Sequence, residues 1–363
     1  LLARSDGEAG GVGRWFPVLY IGLIVLQGLV WARLGFGRGL AVALLCTAAV
    51  TLVALYRRQA PARYVLLGVY GATLVVQLLC LLFSQSRGPM LGMLVGLFFF
   101  GMLYTYVRRW AWATAGLVGL AAALVVSLVL INVPRSPLSA VRDLPYIGRL
   151  GRVFEIEGGT GKVRVLIWEG VVDMLGADPS RAIIGYGPEA MYVAYNPYYP
   201  PDLAHYEARN ASPDRAHNET FDALVTTGVV GFAAYMFLFM SVFYYGFHAL
   251  GLLERRWQKR LYWSCAVVGS ALGLLVPRVI DGSWRFMGVG LPVGFMAGLS
   301  AYLAASALAG QRRAAEPAVK GQSVDARIVL LIGLVSAIAA HFTEIHFGIA
   351  VAATRSYFWA EAA

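Results

Sequence analysis

The chain passes from polar to apolar at His217-Asn218-Glu219-Thr220-Phe221-Asp222-Ala223-Leu224-Val225-Thr226-Thr227-Gly228-Val229-Val230-Gly231, and the apolar run that follows ends near Leu253. Just upstream, Ser212-Pro213-Asp214 predicts a helix start, because it offers a hydroxyl N-cap, a proline at the first helical position and an acid in the first turn. A helix over 213–253 would be about 60 Å long, roughly twice the hydrocarbon thickness of a bilayer. One end must therefore stand outside the membrane, and we predict that it is the polar end carrying His217.

His217 is the first candidate for chemistry in this stretch. In the first turns of a helix, the positive end of the dipole favours a neutral imidazole, which can accept a proton. The simpler interpretation is a histidine that caps the helix and is hydrogen-bonded to Asp214 or Asn218. Asp222 is either a satisfied polar group of a helix bundle or an acid facing a wet cavity. The glycines of the run are expected to let a neighbouring helix approach closely.

Composition places the chain among multi-span membrane proteins. Of its 363 residues, 59% are hydrophobic and only 14% are charged, and the mean hydropathy is +0.65. Soluble domains are closer to a quarter charged. The net charge of +10 does not indicate nucleic acid, because the basic residues fall between apolar spans rather than on one face. The chain begins Leu-Leu-Ala-Arg rather than with Met, so we expect it to be part of a longer protein, and no signal peptide is visible.

Nine apolar runs are long enough to cross a bilayer, and the basic clusters fall in alternate connections, which the positive-inside rule places in the cytoplasm. The predicted spans are 15–36, 39–56, 63–83, 90–107, 111–131, 219–250, 261–280, 287–309 and 328–350. The predicted organisation is an N-terminal transmembrane bundle (1–131), an extracytoplasmic loop (132–216), transmembrane helices that open with the histidine (217–310), a cytoplasmic linker (311–327) and a C-terminal transmembrane segment (328–363).

The long loop is the one predicted non-membrane unit large enough to build a site. Within it, an apolar stripe at helical spacing over 162–175 predicts a helix lying on the membrane surface. The Pro- and Tyr-rich insert 192–206 is a flexible lid, a sugar-stacking surface or an ordered surface loop with interfacial aromatic residues.

No metal or cofactor site is predicted. The spacing of His341, Glu344 and His346 resembles a ligand set but does not match zincins, and polar residues at a helix end explain it better. No nucleophile elbow and no phosphate-binding glycine loop is present. The cysteines indicate neither a disulfide nor a zinc site, since all lie in apolar stretches; they are Cys46, Cys80 and Cys265.

Outward-facing arginines are more informative. Arg87 lies in a tight turn between two spans, and Arg164 lies on the predicted surface helix. Each either contacts lipid headgroups or forms a planar, permanently charged donor for a lipid phosphate. Arg215 is placed to form an i,i+4 pair with Glu219. Further charges crowd the opposite loop, namely Arg278, Asp281 and Arg285.

Three motifs carry a family resemblance. His217-Asn218, nine residues and then Gly228-Val229-Val230-Gly231-Phe232 resembles the H-N-x9-G-x-x-G signature of the O-antigen ligase and polymerase-like superfamily. The run from Arg164 through Trp168 to Pro179 and Gly185-Tyr186-Gly187 resembles that family's R-x3-W … P-x-x-G-x-G lead-in, and Ser86-Arg87-Gly88 resembles its S-R-G turn. The resemblance covers approximately residues 63–250.

The resemblance implies an all-α, GT-C-like membrane glycosyltransferase that needs no metal. Such enzymes move a glycan from a polyprenyl (undecaprenyl) diphosphate carrier to an acceptor, inverting the anomeric carbon at the outer face of a prokaryotic inner membrane. His217 would then deprotonate the acceptor hydroxyl, while Arg87 and Arg164 would hold the diphosphate. Candidate supporting residues are Asn218, Arg215, Asp214 and Trp168.

The resemblance does not identify the acceptor. Lipid A core of lipopolysaccharide, a further repeat unit (as in a polymerase), a protein hydroxyl and another glycolipid all fit the shared motifs, and membrane lipid surrounds the site. A transporter or lipid flippase is the alternative from another class, but it predicts charges near the middle of several spans, where this sequence is almost free of them. A structural membrane subunit without chemistry is the third reading.

Overall fold

The computed structural model describes residues 62–84, 86–132, 159–208, 211–313 and 325–363, together with positions 136, 138 and 141. The predicted spans 15–36 and 39–56, and Cys46, lie outside the described residues. Within the described ranges all regular structure is helical, in agreement with the predicted all-α class. The helices are α1 Ala62–Ser84, α2 Arg87–Val107, α3 Ala111–Asn132, α4 Gly159–Ala177, α5 Pro179–Ile184, α6 Met191–Ala194, α7 Glu219–Ala249, α8 Arg256–Asp281, α9 Met287–Arg313, α10 Ala326–Ile345 and α11 Ala352–Ala362, with short 3-10 helices at Asn196–Tyr198 and Pro201–His205.

Six of the described helices are long and apolar enough to cross a membrane. They are α2, α3, α7, α8, α9 and α10, and they coincide with six of the predicted spans. Helix α1 follows the predicted span 63–83, and its apolar part covers Gly68–Leu81. The chain is therefore a multi-pass membrane protein. Helix α1 belongs to a separate compact unit from residues 85–363 and is described here by itself.

In the larger unit, hydrogen bonds join the ends of several spans to one another. At one end, the Asn218 side chain joins the start of α7 to backbone carbonyls at the start of α9 and just after α10. At the opposite end, Tyr106 on α2 and Tyr302 on α9 donate to carbonyls of the turn that follows α7, Gly251 and Leu252. Helices α2, α7 and α9 therefore run in one direction and α10 runs in the opposite one.

Helix α7 begins later than the sequence predicts. The predicted start at Ser212-Pro213-Asp214 is wrong, because Asn218 is the N-cap and its side-chain oxygen accepts a hydrogen bond from the Phe221 N–H at 3.2 Å. Asparagine caps a helix as well as serine does, and two acids in the first turn favour this start electrostatically. The Ser212 hydroxyl is used elsewhere, since it lies 2.8 Å from Asn196 Oδ1.

Helix α4 is more deeply buried than a helix resting on a membrane surface. The predicted helix is confirmed, and it is longer than 162–175. Four consecutive side chains, Val165 to Trp168, are buried, so the helix is covered on several sides rather than along one stripe. Its neighbours in this second core include Tyr195, Leu203 and Phe221.

Candidate active site

The backbone around His217 is held from both sides. His217 itself has φ 54°, a left-handed conformation that is uncommon for a residue with a side chain. Before it, the Ala216 carbonyl accepts a hydrogen bond from Trp168 Nε1 at 2.8 Å, and the Ala216 N–H donates to Asp222 Oδ1 at 2.7 Å. After it, Asn218 Nδ2 donates to the Gly288 and His346 carbonyls at 2.8 and 2.7 Å. These bonds offset the cost of the unusual backbone and fix the place of the imidazole.

The predicted cap interaction of His217 is absent. Among the described residues no hydrogen bond joins its ring to Asp214 or Asn218, and Asn218 takes the capping role instead. The sequence predicts that His217 lies in the first turns of helix α7. It lies instead just before that helix, which begins at Glu219. Its imidazole is partly buried.

Two arginines from separate segments share the surroundings of this histidine. Burial lowers the pKa of Arg164, and the positive charge of Arg87 lowers it further. Burial likewise lowers the pKa of His217, and the charge of Arg164 adds to that effect, while Asp214 and Glu207 oppose it. Arg87 thus acts on Arg164, and Arg164 acts on His217, and the net shift at His217 favours the neutral imidazole. The largest causes of this shift are burial and the charge of Arg164.

A backbone carbonyl far along the chain holds the Arg164 side chain in place. Its Nη1 donates to the Phe347 carbonyl at 2.6 Å, in the turn that follows α10. Helix α10 also packs closely on α2, where a Cβ on Gly92 would lie 2.6 Å from the Ala340 carbonyl. Since Arg87 is the first residue of α2, the end of α10 helps to place both arginines.

The candidate supporting residues take different roles. Trp168 and Asn218 hold the backbone on either side of His217, and Trp168 also stacks on Phe221 with ring centroids 5.9 Å apart. Asp214 is exposed and acts on His217 through its charge, which raises the pKa of that histidine. Arg215 donates to the Ala350 carbonyl at 3.3 Å and pairs with Glu189 at 3.5 Å.

The predicted pair between Arg215 and Glu219 is wrong. Arg215 precedes the helix, so the i,i+4 geometry does not exist there. Glu219 is instead buried and pairs with Arg355 of α11 at 3.0 Å. On the opposite loop, Arg285 pairs with Asp281 and with Glu169 of α4, so its charge is taken up in joining two segments.

The Gly185-Tyr186-Gly187 stretch packs against helix α7 at Gly228. Gly228 has φ 65° inside α7 and kinks the helix. The kink leaves the Val225 and Thr226 carbonyls free to accept hydrogen bonds from the Tyr186 and Gly187 N–H groups, at 2.7 and 3.1 Å. A Cβ on Gly228 would collide with the Ile183 carbonyl, which confirms the predicted close approach of a neighbouring helix at this glycine. Gly231 differs, because its nearest neighbour is the Thr227 side chain of the same helix.

The Pro- and Tyr-rich insert is an ordered part of the site's support. Tyr195 is fully buried, and its hydroxyl donates to the Ile167 carbonyl at 3.3 Å. Leu203 is fully buried in the same core. These contacts favour an ordered loop over a flexible lid, and the sugar-stacking surface stays a prediction, since Tyr192 and Tyr206 are exposed.

The sequence motif around His341 does not form a cluster. His346 is buried, and its Nδ1 lies 2.6 Å from the Phe342 carbonyl, whereas His341 stacks on Phe358 with ring centroids 5.7 Å apart. Within the described residues no group of three His, Cys, Asp or Glu side chains is arranged to hold a metal ion. His341 therefore packs against the C-terminal helix α11, whereas His346 packs against Phe342 of its own helix.

A cavity of about 440 Å³ lies beside this site and was missed by the sequence reading. Helix α7, the loop 187–191 and the C-terminal helices α10 and α11 all contribute to its lining. Asp222 lines it, so the expectation of an acid that faces a wet cavity is compatible with the structure, as is that of a satisfied polar group. Residues from positions 187 to 359 meet here, and no local spacing in the sequence signals such a meeting.

The fold and the site together define a multi-pass membrane protein with a histidine and two arginines gathered at one end of its helix bundle. Residues 72–236 match the family model of O-antigen ligase (Wzy_C), so this part of the chain is similar to that family. The matched range contains all three motifs and ends on α7, before helices α8 to α11. No curated protein and no solved structure matches the chain.

Proposed function

We propose that the chain is an inverting glycosyltransferase that moves a glycan from a polyprenyl diphosphate carrier to an acceptor hydroxyl. The family match supports a lipid-linked glycan transferase in general terms. The observation that carries the finer proposal is that Arg164 lies within electrostatic reach of both Arg87 and His217, which come from two other segments of the chain. The proposed location is the outer face of a prokaryotic inner membrane.

His217 is the proposed general base. Its neutral imidazole takes the proton of the acceptor hydroxyl as the hydroxyl oxygen attacks the anomeric carbon of the donor. The bond from that carbon to the diphosphate oxygen breaks on the opposite side, so the configuration inverts and the electron pair leaves with the diphosphate. The proton ends on the imidazole, and the acceptor ends as the glycoside.

Arg87 and Arg164 are the proposed diphosphate ligands. A guanidinium group is planar and permanently charged, and it donates two parallel hydrogen bonds to phosphate oxygens. Donors fixed before the reaction stabilise the charge that develops on the leaving oxygen without a cost of reorganisation. Arg164 meets this condition, because Phe347 already holds one of its nitrogens.

Donor binding also prepares the base. In the empty site the charge of Arg164 lowers the pKa of His217, which makes the imidazole a weaker base. A bound diphosphate neutralises the nearby arginines and so raises the pKa of His217 again. His217 is therefore a stronger base when the donor is bound than when the site is empty. Its basicity is highest when the acceptor hydroxyl has to be deprotonated.

A transporter is the weaker candidate. Transport needs polar groups along a path through the membrane. In the described residues, the interacting charged groups of the site lie at the ends of spans and in the loops between them. This arrangement suits a reaction at one membrane face.

The decisive experiment measures release of polyprenyl diphosphate from a polyprenyl-linked oligosaccharide by purified protein, with chelator present. We expect release that requires an added acceptor and that His217→Ala abolishes. The matched control is His205→Ala, which removes an exposed histidine of the loop and should leave release unchanged. Equal turnover by wild type and His217→Ala would remove the general-base role, and loss of wild-type release with chelator would contradict the metal-independent mechanism.

A further inference from the structure

The cavity beside His217 has the size of a ligand pocket. Its volume of about 440 Å³ falls within the range of roughly 300–1,000 Å³ that is typical of small-molecule sites. Asp222 lines the cavity and also accepts the Ala216 N–H, so the cavity wall is directly attached to the backbone that carries His217. Asp214 and Arg215 line it as well. Arg87 and Arg164 do not, so this is a different compartment from the proposed diphosphate site.

The charges of the lining exclude anions. Four carboxylates face the cavity and only two guanidinium groups do. Arg355 pairs with Glu219, and Arg215 pairs with Glu189, which leaves the carboxylates of Asp214 and Asp222 in excess. A ligand with its own carboxylate or phosphate would meet net repulsion here, whereas hydroxyl or ammonium groups would find acceptors.

The apolar part of the lining contains four aromatic side chains. It includes Tyr235, Phe239, Phe358 and Trp359, and the Trp359 side chain is exposed. A sugar ring presents hydroxyl groups at its edge and an apolar C–H face, so it needs acceptors and a flat aromatic surface together. This cavity offers both.

We infer that the cavity binds a sugar ring that carries no negative charge, either neutral or amine-bearing. The chemistry of the ligand follows from the lining alone. The origin of the sugar rests on the proposed function, in which either the acceptor glycan or the donor glycan supplies it. Acid sugars are excluded from this position by the surplus of carboxylates.

The test uses ligand-observed NMR with the purified protein and three methyl glycosides: glucoside, glucosaminide and glucuronide. The first two should show saturation transfer from the protein, and the glucuronide should show little. Ala223→Trp fills the cavity and should abolish the signal. Ala233→Trp, at an exposed position of the same helix outside the lining, is the matched control and should keep it. Equal binding of glucoside and glucuronide to the wild type, or binding that survives Ala223→Trp, would overturn the inference.

A second variant tests the charge without changing the shape. Asp222→Asn keeps an oxygen that can accept the Ala216 N–H but removes one negative charge. Glucuronide binding should then increase several-fold relative to glucoside, and an unchanged ratio would contradict the role given to the surplus carboxylates. Melting temperatures of all variants identify any that fail to fold, and for those Trp359→Ala replaces Ala223→Trp as the milder change to the lining.

Failure of this inference is distinguishable from failure of the proposed function. His217→Ala should bind the neutral glycosides normally, because His217 does not line the cavity. If wild-type protein binds the sugars but transfers no glycan, the proposed function fails and the sugar site stands. Where transfer is measurable, Ala223→Trp should raise the KM of one substrate, and the substrate affected identifies whether acceptor or donor supplies the sugar. An unchanged KM for both would overturn the assignment.

Discussion

Residues 159–231 and residues 341–359 both surround His217, but they contribute different chemical groups. The first segment carries two of the recognisable motifs and supplies side chains, such as Arg164, Trp168 and Asn218. The second supplies mainly backbone carbonyl oxygens. Arg164, Arg215 and Asn218 all donate to it, and the accepting carbonyls belong to Phe347, Ala350 and His346.

The difference explains where the family match ends. Any residue can offer a carbonyl oxygen, so the second segment can change its side chains and still hold the same donors. The match covers residues 72–236 and does not reach the segment that orients its arginine. A motif therefore marks the residues whose side chains are needed, and the parts that position them go unmarked.

The two histidines of these segments should respond to substitution in opposite ways. His217→Gln should lower the transfer rate by about 10²–10⁴-fold, the usual contribution of a general base, and leave stability almost unchanged. His346→Ala should lower the free energy of unfolding by about 2–5 kcal/mol, because it empties a fully buried position. Transfer rate per folded molecule and thermal unfolding in detergent measure the two effects. A stable but inactive His346→Ala would break the comparison.

The arginines of the site should need their planar shape as well as their charge. Arg87→Lys and Arg164→Lys should each lower donor use by roughly 10- to 150-fold, as expected for the loss of one charge-assisted hydrogen bond. Arg278→Lys is the control, since Arg278 lies over the Trp284 ring and lysine can do the same. Initial rates at low donor concentration report the effect. If Arg87→Lys and Arg164→Lys left the rate unchanged while Arg278→Lys lowered it, the diphosphate would bind elsewhere.

Much of the fold could be predicted because its signals are local. Length and hydropathy indicate six described spans, and the apolar stripe around Val165 predicts helix α4. The start of α7 was placed too early, because Ser212 and Asn218 both have the chemistry of an N-cap and the sequence does not rank them.

The site was only partly predictable for a related reason. His217, Arg87 and Arg164 were predicted from side-chain chemistry and the resemblance, and the structure places Arg164 within electrostatic reach of each of the other two. The pair between Glu219 and Arg355 joins residues far apart in sequence, so no spacing rule could find it. The cavity depends on the same long-range packing.

The glycines of the two segments offer a smaller contrast, in stability. Gly228→Ala should destabilise the protein by at least about 1–2 kcal/mol, the cost of a left-handed backbone for a residue with a Cβ, and the collision with Ile183 adds to it. Gly348→Ala should be almost neutral, since the new Cβ would lie 3.4 Å from the Glu344 carbonyl, an ordinary contact. Thermal unfolding of both variants checks this. Equal melting temperatures would mean that the kink at Gly228 relaxes easily.

The smallest expected effect is a shift in the pH dependence of transfer. The pKa of His217 lies below its usual value of 6.5, so kcat/KM should hold as the pH falls to about that value and decline only below it. Asp214 raises the pKa of His217 and Arg215 lowers it, so substitution of these neighbours should move the acidic limb in opposite directions. Asp214→Asn should move the limb to lower pH, because the imidazolium loses a stabilising charge. Arg215→Gln should move it to higher pH by a smaller amount, since Arg215 is the weaker of the two influences.

Arg215 is also attached to Ala350, so a shift much larger than that of Asp214→Asn would reveal movement of the C-terminal segment rather than loss of a charge. Shifts of the same sign in both variants would mean that another group than His217 controls the acidic limb.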